Sequence, residues 1–329
     1  MKKLISLTLA LVMIVACLAG LAVAADPIAK VTTGTTTVEV ETVADMVAAV
    51  DPSGNSVITL LKDIENGGII KAPYTCTLDM NGHTIHTTKG NTWDVAGTAV
   101  GTENAISVVK NGTFICDQQQ SITVRKGGMI VENVKGYSLG YGVCYNEVST
   151  EYNDVNVVKD STFISLNGGG ISFNFADAPQ TGAKVRVVNT KLISPKESGV
   201  SVIESKKGGG IVVLDKGVEM YSYKPDSWLT SKMTAEGETV KAEFNLATVE
   251  VAEFNVKYPG MSYWHTPEYV APAQPETPAA PATPTTPATP SVPTTGTPDV
   301  TTPATGVSVV ALGVMAMVSL AGAVITKKH

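Results

Sequence analysis

The chain has almost no arginine: of its 24 lysine and arginine residues, only Arg125 and Arg186 are arginines. Charged residues make up 16% of the sequence and the formal net charge is −6, and no basic patch with interleaved aromatic residues is present. Proteins that bind nucleic acids carry such a patch, because lysine and arginine neutralise backbone phosphates. The composition therefore argues against nucleic acid as a partner.

Cysteine is also scarce. It occurs four times, and no C-x-x-C pair is present. Cys17 lies in an N-terminal apolar run that we expect to be removed, which leaves Cys76, Cys116 and Cys144. An odd number without paired spacing supports neither a zinc site nor a disulfide framework, and it favours buried thiols. One disulfide with one free thiol is the alternative.

Motifs that would indicate catalysis are missing. The glycine-rich segments lack the G-x-x-x-x-G-K-[ST] pattern of a phosphate-binding loop. His83 and His86 are three residues apart and would point to opposite faces of a strand, so we do not expect a shared metal ion. The sequence therefore favours a protein without catalytic, metal-binding or cofactor-binding residues.

What the chain does contain is an internal repeat. An apolar strand followed by Asn or Asp begins with Leu78–Ile85 and recurs without a gap at Val108–Ile115 and Val157–Ile164. The Asn/Asp positions, 22 to 30 residues apart, are Asn81, Asn111, Asn133, Asp160, Asn189 and Asp215. A strand-rich period of this length predicts a solenoid, whose units must stack to bury their apolar faces. We therefore predict an all-β fold with a single-stranded, right-handed parallel β-helix over residues 58–222.

The recurring Asn and Asp residues have a physical explanation. A β-helix turns tightly at its corners, and one corner residue often has a positive φ, which Asn, Asp and Gly tolerate best. Stacked amide side chains can also form hydrogen bonds from one unit to the next. The alternative is a row of carboxylates and amides that binds a metal or a sugar. Their recurrence at corners favours the structural interpretation.

The start of the repeat region has a specific order of elements. A capping box at Thr42 predicts a helix over residues 43–50, which would cover the open end of the core. Ile58–Ile64 and Leu78–Ile85 then follow. This order resembles the N-terminal entry of pectin-lyase-like β-helix proteins, where a capping helix leads to a "tI-x-L-x-x-D-I" strand and an "LDLNGHTI" turn. The resemblance covers roughly residues 40–222 and implies the fold.

The resemblance implies little about activity. Polygalacturonase-like members have a Gly-His-Gly and an Arg-x-Lys motif, and neither occurs here. Lyases of this fold usually use a calcium-binding aspartate cluster and a basic residue. Arg125 and Arg186 have no obvious acidic cluster in register one repeat away in the sequence. Absence of catalysis is therefore favoured.

Aromatic residues concentrate in two longer polar segments, residues 87–104 and 137–156. They are Trp93, Tyr137, Tyr141, Tyr145 and Tyr152. In a β-helix, extra residues leave the repeats as loops on one side, where ligands bind. Aromatic rings pack against the apolar faces of sugars, so these residues form a possible ligand face. The alternative is that they pack back on the repeat region.

The N-terminal part predicts a secreted protein. Residues 1–24 have the charged start, apolar run and A-x-A cleavage site of a signal peptide. The residues before Cys17 also resemble a bacterial lipoprotein box, so lipidation of Cys17 is the alternative. Residues 25–57 are the N-terminal segment that contains the capping helix.

The C-terminal part changes in composition twice. Residues 223–270 predict a small β cap, with Ala242–Asn245 and Ala252–Asn255 as the two strands of an antiparallel hairpin. Residues 271–302 are rich in Pro and Thr, with proline at every third position up to residue 293. This period is typical of polyproline II, and the composition predicts a disordered linker without a core.

Residues 303–329 predict an anchor. The segment begins with Pro303, Ala304, Thr305 and Gly306. A 19-residue apolar run, Val307–Ile325, follows and is long enough for a transmembrane helix, and the lysines after it would remain on the cytoplasmic side. This order resembles an LPXTG-like Gram-positive cell-wall sorting signal, although Thr302 stands where Leu is usual. The resemblance implies cleavage by a sortase between Thr305 and Gly306 and transfer to peptidoglycan. A plain membrane anchor is the alternative.

Three functional classes remain open for an extracellular protein anchored to the cell wall or membrane. The favoured class is an adhesin-like surface protein that displays the β-helix and binds a glycan or a surface without catalysis. The second is a polysaccharide-active lyase or glycosidase. The third is a structural component of the envelope.

Overall fold

The computed structural model describes residues 26–96, 105–125, 127–146, 150–173, 182–206, 209–225, 227–231, 233–237 and 241–267. These residues are mostly strand and form parallel sheets, in agreement with the predicted all-β class. The predicted signal peptide, Pro/Thr linker, sorting motif and transmembrane helix lie outside the described residues. Among the helices within those ranges, none is both long and apolar enough to cross a bilayer.

Short strands joined by tight turns make up most of the described chain. The strands are β1 (Ala29–Thr33), β2 (Thr36–Val40), β3 (Ser56–Leu60), β4 (Ile64–Asn66), β5 (Ile70–Ala72), β6 (Thr77–Asp79), β7 (Thr84–Thr87), β8 (Trp93–Val95), β9 (Ile106–Cys116), β10 (Ile122–Val124), β11 (Gly128–Ser138), β12 (Val143–Tyr145), β13 (Val157–Lys159), β14 (Thr162–Ser165), β15 (Ile171–Phe173), β16 (Lys184–Val188), β17 (Lys191–Ser194), β18 (Ile203–Ser205), β19 (Ile211–Leu214), β20 (Glu219–Ser222), β21 (Thr234–Gly237), β22 (Lys241–Val251) and β23 (Val256–His265). The helical elements of the described chain are the helix α1 (Val43–Ala48) and two 3-10 turns, Thr150–Tyr152 and Ala252–Phe254.

The helix α1 covers one end of the core, as predicted. Thr42 is its N-cap, because the Asp45 N–H donates a hydrogen bond of 3.1 Å to Thr42 Oγ1. Met46 is fully buried, and Val43 and Val47 pack against the core. The helix ends two residues before the predicted boundary, since Ala49 is already its C-cap.

Most strands belong to three parallel ladders. The first ladder is β3-β6-β9-β11-β13-β16-β19-β21, the second is β4-β7-β9-β11-β14-β17-β20, and the third is β5-β8-β10-β12-β15-β18. The long strands β9 and β11 contribute one half to the first ladder and the other half to the second. Each repeat of the sequence therefore supplies the three ladders in the same order.

The core lies between the ladders and is built from stacked apolar side chains. Phe114, Phe163, Leu192 and Met220 occupy equivalent inward positions of the second ladder, and each is fully buried. Burial of side chains of this size stabilises the fold by about 1.5–3 kcal/mol each. Gly136 stands between the two phenylalanines in this stack, and a Cβ there would lie 2.4 Å from Phe163 Cδ1. Glycine is needed at this position because the Phe163 ring occupies the space.

The recurring Asn and Asp residues lie where the chain passes from the first ladder to the second. Five of the six have a positive φ between 41° and 60°, namely Asn81, Asn111, Asn133, Asp160 and Asn189. The predicted corner conformation is confirmed for these five. Asp215 is the exception, and Gly217 adopts the positive φ, 75°, in its turn.

We call these six recurring Asn and Asp residues the asparagine row, and several of their side chains connect neighbouring repeats. Asn111 Nδ2 donates to Asp79 Oδ1 at 3.1 Å, and Asn133 Nδ2 donates to Asn111 Oδ1 at 3.2 Å. Asn189 Nδ2 donates to Asp160 Oδ1 at 2.7 Å. The registers of β9, β11 and β13 place Asn111, Asn133 and Asp160 at equivalent positions, so the residues stack along one edge as predicted.

The C-terminal hairpin differs from its prediction. β22 runs without interruption from Lys241 to Val251, and the following Ala252–Phe254 form a 3-10 turn. Asn255 then has a φ of 52° and connects to β23. The segment 252–255, predicted as the second strand, is therefore the connection, because a turn needs a residue that tolerates the left-handed conformation.

The hairpin also folds back along the second ladder. β23 pairs antiparallel with β20, and Trp264, opposite Met220, enters the core. Farther along the hairpin, Val249 and Met261 pack in one cluster with Ile164 on the outward side of the ladder. The C-terminal hairpin therefore pairs with β20, the last strand of the second ladder, and also covers the outward side of that ladder.

We expect alanine and glycine substitutions to have different relative effects on the free energy of unfolding at Asn111, which has a positive φ, and at Asp215, which does not. Asn111→Ala should lower the free energy of unfolding by about 1–3 kcal/mol, because alanine is strained at positive φ and the side-chain hydrogen bonds are lost. Asn111→Gly should lower it less, since glycine removes the strain. At Asp215, which has no positive φ, glycine should be more destabilising than alanine. Chemical denaturation of the four variants tests this, and the same order at both positions would contradict it.

Candidate ligand-binding site on the third ladder

The strands of the third ladder are three residues long and point their first and third side chains into the core. Trp93 and Val95 in β8, and Val143 and Tyr145 in β12, are examples. Because side chains alternate along a strand, the middle residues point away from the core. In ladder order, this outward column consists of Lys71, Asp94, Thr123, Cys144, Ser172 and Glu204.

The middle of the outward column is covered although it points away from the core. Asp94 and Thr123 are 1% exposed, and Cys144 and Ser172 are 0% exposed. The polar column is therefore a buried seam whose two ends, at Lys71 and Glu204, reach solvent.

Asp94 is held by Arg125. Arg125 Nε donates to Asp94 Oδ1 at 2.8 Å, and Arg125 Nη2 donates to Asp94 Oδ2 at 2.7 Å. Asn91 Nδ2 adds a third donor to Oδ2 at 3.0 Å. A bidentate pair with a further hydrogen bond can compensate for burying a carboxylate. Because its oxygens are occupied by these donors, Asp94 is poorly placed to act as a free base.

Hydroxyl and thiol groups follow Asp94 along the column. Within the part of the chain that the structure describes, Thr123 Oγ1 and Ser172 Oγ are buried without a hydrogen-bond partner. Between them lies Cys144, whose thiol is 3.4 Å from Asn146 Oδ1. Burial raises the pKa of Cys144 to about 12, so the thiol stays protonated at neutral pH and is a poor nucleophile. These groups offer hydrogen bonds but no activated nucleophile.

The end of the column carries an acid surrounded by cations. Burial raises the pKa of Glu204, against a hydrogen bond from Tyr141 and the charges of Lys206, Lys196 and Lys224, which lower it. Burial and Glu204 together raise the pKa of Tyr141, so its phenol stays protonated and donates the hydrogen bond. Lys206 Nζ lies 5.2 Å from the centre of the Tyr141 ring, a cation–π distance.

The predicted aromatic ligand face is corrected for two of its residues. Trp93 is 1% exposed and Tyr145 is 0% exposed, and both belong to the core. The Tyr145 ring stacks on Phe173 with the ring centroids 5.7 Å apart. Both are end residues of three-residue strands that alternate toward the core, and not loop residues. Neither side chain can therefore contact a ligand at the surface in this conformation.

The other three predicted aromatic residues are half-buried and lie in different places. Tyr137 belongs to the second ladder and faces the C-terminal hairpin, with its ring centroid 5.4 Å from that of Phe254. Tyr152 lies in a 3-10 turn. Tyr141 lies beside Glu204 at the end of the column. The five residues do not form one face, and Tyr141 is the member beside the polar column.

The spacing of the outward carboxylates limits the chemistry of the column. Asp94 and Glu204 are separated by four ladder steps, which corresponds to ~19 Å at about 4.8 Å per step. Glycoside hydrolysis requires two carboxyl groups about 5–9.5 Å apart. Among the described residues, no group of three or more His, Cys, Asp or Glu side chains could hold a metal ion. Asp94 and Glu204 therefore do not form a glycosidase pair.

Sequence reasoning missed Asp94 as the partner of Arg125. The two residues are 31 positions apart, close to the longest spacing in the asparagine row, so the repeat period contained the signal. Glu204 lies in the last strand of the third ladder, where no motif marks it.

A second polar cluster lies on the second ladder. His86 Nδ1 is 2.8 Å from Glu65 Oε2, and His86 Nε2 is 3.1 Å from Asp117 Oδ2. His83 instead contacts Asp63, at 3.2 Å. The two histidines therefore bind different carboxylates. Burial lowers the pKa of His86, but contacts with Asp117 and Glu65 outweigh it and the net shift is upward.

The raised pKa of His86 predicts a pH-dependent contribution to stability. Its two ion pairs should be fully present below about pH 6.5, the unfolded pKa, and should be lost as pH rises through the higher folded pKa. The free energy of unfolding should be measured at pH 5.5 and at pH 8.5. Between these two values, it should decrease less in His86→Gln than in the wild-type chain. Glu65→Gln and Asp117→Asn should each retain part of the effect. An unchanged pH profile in His86→Gln would contradict this.

Comparisons with known proteins found no family model, no curated protein and no solved structure that matches this chain.

Proposed function

We propose that the chain is a secreted surface protein, anchored to the cell wall or membrane, that displays a right-handed parallel β-helix and binds a glycan without catalysis. The β-helix is supported by the constant order in which the repeats supply the three ladders. Right-handedness is supported by the strong preference for right-handed crossovers between parallel strands of one sheet.

The solvent-accessible end of the outward column at Glu204 supports binding of a glycan at the surface, whereas the middle of the column is buried. At the accessible end, Glu204 can accept hydrogen bonds, Tyr141 offers an aromatic ring, and Lys206 is exposed. We infer that a glycan binds at this end, which we call the Glu204 end.

The separation of Asp94 and Glu204 is the observation that argues against catalysis at the outward column. At ~19 Å the two carboxylates cannot act on one glycosidic bond. Arg125, which a lyase could use as its basic residue, is engaged with Asp94. A purely structural role is disfavoured by the half-buried acid and three lysines at the Glu204 end, because an inert surface has no need of a partly desolvated carboxylate.

Glycan binding is tested by charge removal at and away from the Glu204 end. We expect the secreted chain to retain glycans on an array without depolymerising polysaccharides, and Glu204→Gln and Lys206→Met each to weaken binding about tenfold. Lys216→Met is the matched control, because Lys216 is also exposed but lies in the turn that ends the asparagine row. Its affinity should be unchanged. Depolymerisation would favour the enzyme, and absence of any glycan binding would reject the proposal.

Sorting is tested separately from binding. A sortase should cleave between Thr305 and Gly306, and Gly306→Trp should block this step and retain the protein in the membrane fraction. Deletion of residues 307–329 should release the protein into the medium. Fractionation with and without muramidase, with mass spectrometry of the C-terminal peptide, measures both outcomes. Residues 306–329 still present on the envelope-bound protein would leave the plain membrane anchor.

A further inference from the structure

β2 is an exposed edge strand. It pairs with β1 alone among the described strands, and Thr36, Thr37, Val38 and Glu39 are all exposed. Val38 is 44% exposed and is one of the few large apolar residues at the described surface. Its partner Val31 is buried against the core, so Val38 extends the apolar side of the sheet beyond the point where the core ends.

The backbone groups free for pairing can be identified from the hairpin geometry. Thr33 and Thr36 face each other across a two-residue turn, in which Gly34 has a φ of 60°. Such a turn is closed by a hydrogen-bonded pair, after which bonded and non-bonded pairs alternate. Thr36, Val38 and Val40 therefore bond to β1. The Val40 carbonyl, which accepts from the Ile28 N–H at 2.7 Å, agrees with this, because it places the even residues of β2 toward the β1 side.

Thr37 and Glu39 therefore present their N–H and C=O groups to solvent. An incoming strand must use these two residues, and an open edge of this kind is a template for strand addition. The sequence of β2 makes a second copy of itself a suitable partner. In an antiparallel pair centred on Val38, Thr37 of each copy faces Glu39 of the other, which gives four backbone hydrogen bonds.

The charge of Glu39 selects this register. A shift centred on Glu39 would place two carboxylates directly opposite each other, which is destabilising. In the pair centred on Val38, each Glu39 faces a threonine and keeps its own ion pair with Lys30, at 3.2 Å. The two Val38 side chains meet on the apolar side and cover each other. In any other antiparallel register that uses the free N–H and C=O groups of Thr37 and Glu39, the two Val38 side chains do not face each other.

We propose that two copies of this chain associate through their β2 strands, antiparallel and centred on Val38, to form a continuous sheet across the pair. The contact is small, so it depends on a high local concentration, such as that of a protein displayed densely on one surface. The proposal rests on the surface display that is part of the proposed function, but it does not depend on glycan binding at the Glu204 end.

A disulfide test uses the two-fold symmetry of this register. Val38→Cys places two cysteines in a non-hydrogen-bonded pair, with Cα atoms about 4.5 Å apart, within the range for a disulfide. In Thr36→Cys the two cysteines would be four residues out of register, ~13 Å apart. The full chain, displayed on the producing cells and mildly oxidised, should give a disulfide-linked dimer for Val38→Cys and about tenfold less for Thr36→Cys. Equal yields, or no dimer, would overturn the proposal.

A second variant separates association from folding. Thr37→Pro removes an N–H that points to solvent in the single copy, so the strand should remain folded. It removes two of the four intermolecular hydrogen bonds and should reduce cross-linking in a Val38→Cys background about tenfold. Retained protease resistance of the displayed domain is the control for folding. Undiminished cross-linking in the folded variant would reject the β2 pairing and indicate a different contact near Val38.

Discussion

The left-handed backbone at the asparagine row is the constraint on which the rest of the structure depends. It allows β9 and β11 to turn at Asn111 and Asn133, so that the first half of each strand pairs in the first ladder and the second half pairs in the second ladder. Because the amide of Asn111 bonds to one neighbouring repeat and accepts from the next, the corner also fixes the register between repeats. Once the register is fixed, the inward side chains superpose and the core can fill without gaps.

Features encoded within one repeat were predictable from the sequence. The positive φ of Asn81 and its counterparts follows from residue type, and α1 follows from the capping box and its apolar face. The strands of the third ladder were not predictable in the same way. Three residues are too few to show an alternating pattern, so Trp93 and Tyr145 read as loop aromatics although they point into the core.

Contacts between distant parts of the chain account for the remaining differences. The pair formed by Arg125 and Asp94 joins residues one repeat apart, and only the alignment of strands in the ladder brings them together. The path of the C-terminal hairpin depends on an apolar strip, including Ile164 and Ile193, on the outward side of the second ladder. In sequence these residues read as ordinary strand residues, because both sides of their strands are covered.

The hairpin changes how the molecule can come apart. In a stack whose units touch only their neighbours, the last unit can fray first and disorder can spread inward one unit at a time. Here Glu253 forms an ion pair of 2.8 Å with Lys135, 118 positions earlier, and Phe254 packs on Tyr137. The connection between β22 and β23 therefore contacts β11, a strand near the middle of the stacked repeats. Fraying from this end must first release that contact, so the C-terminal half should open as one cooperative block.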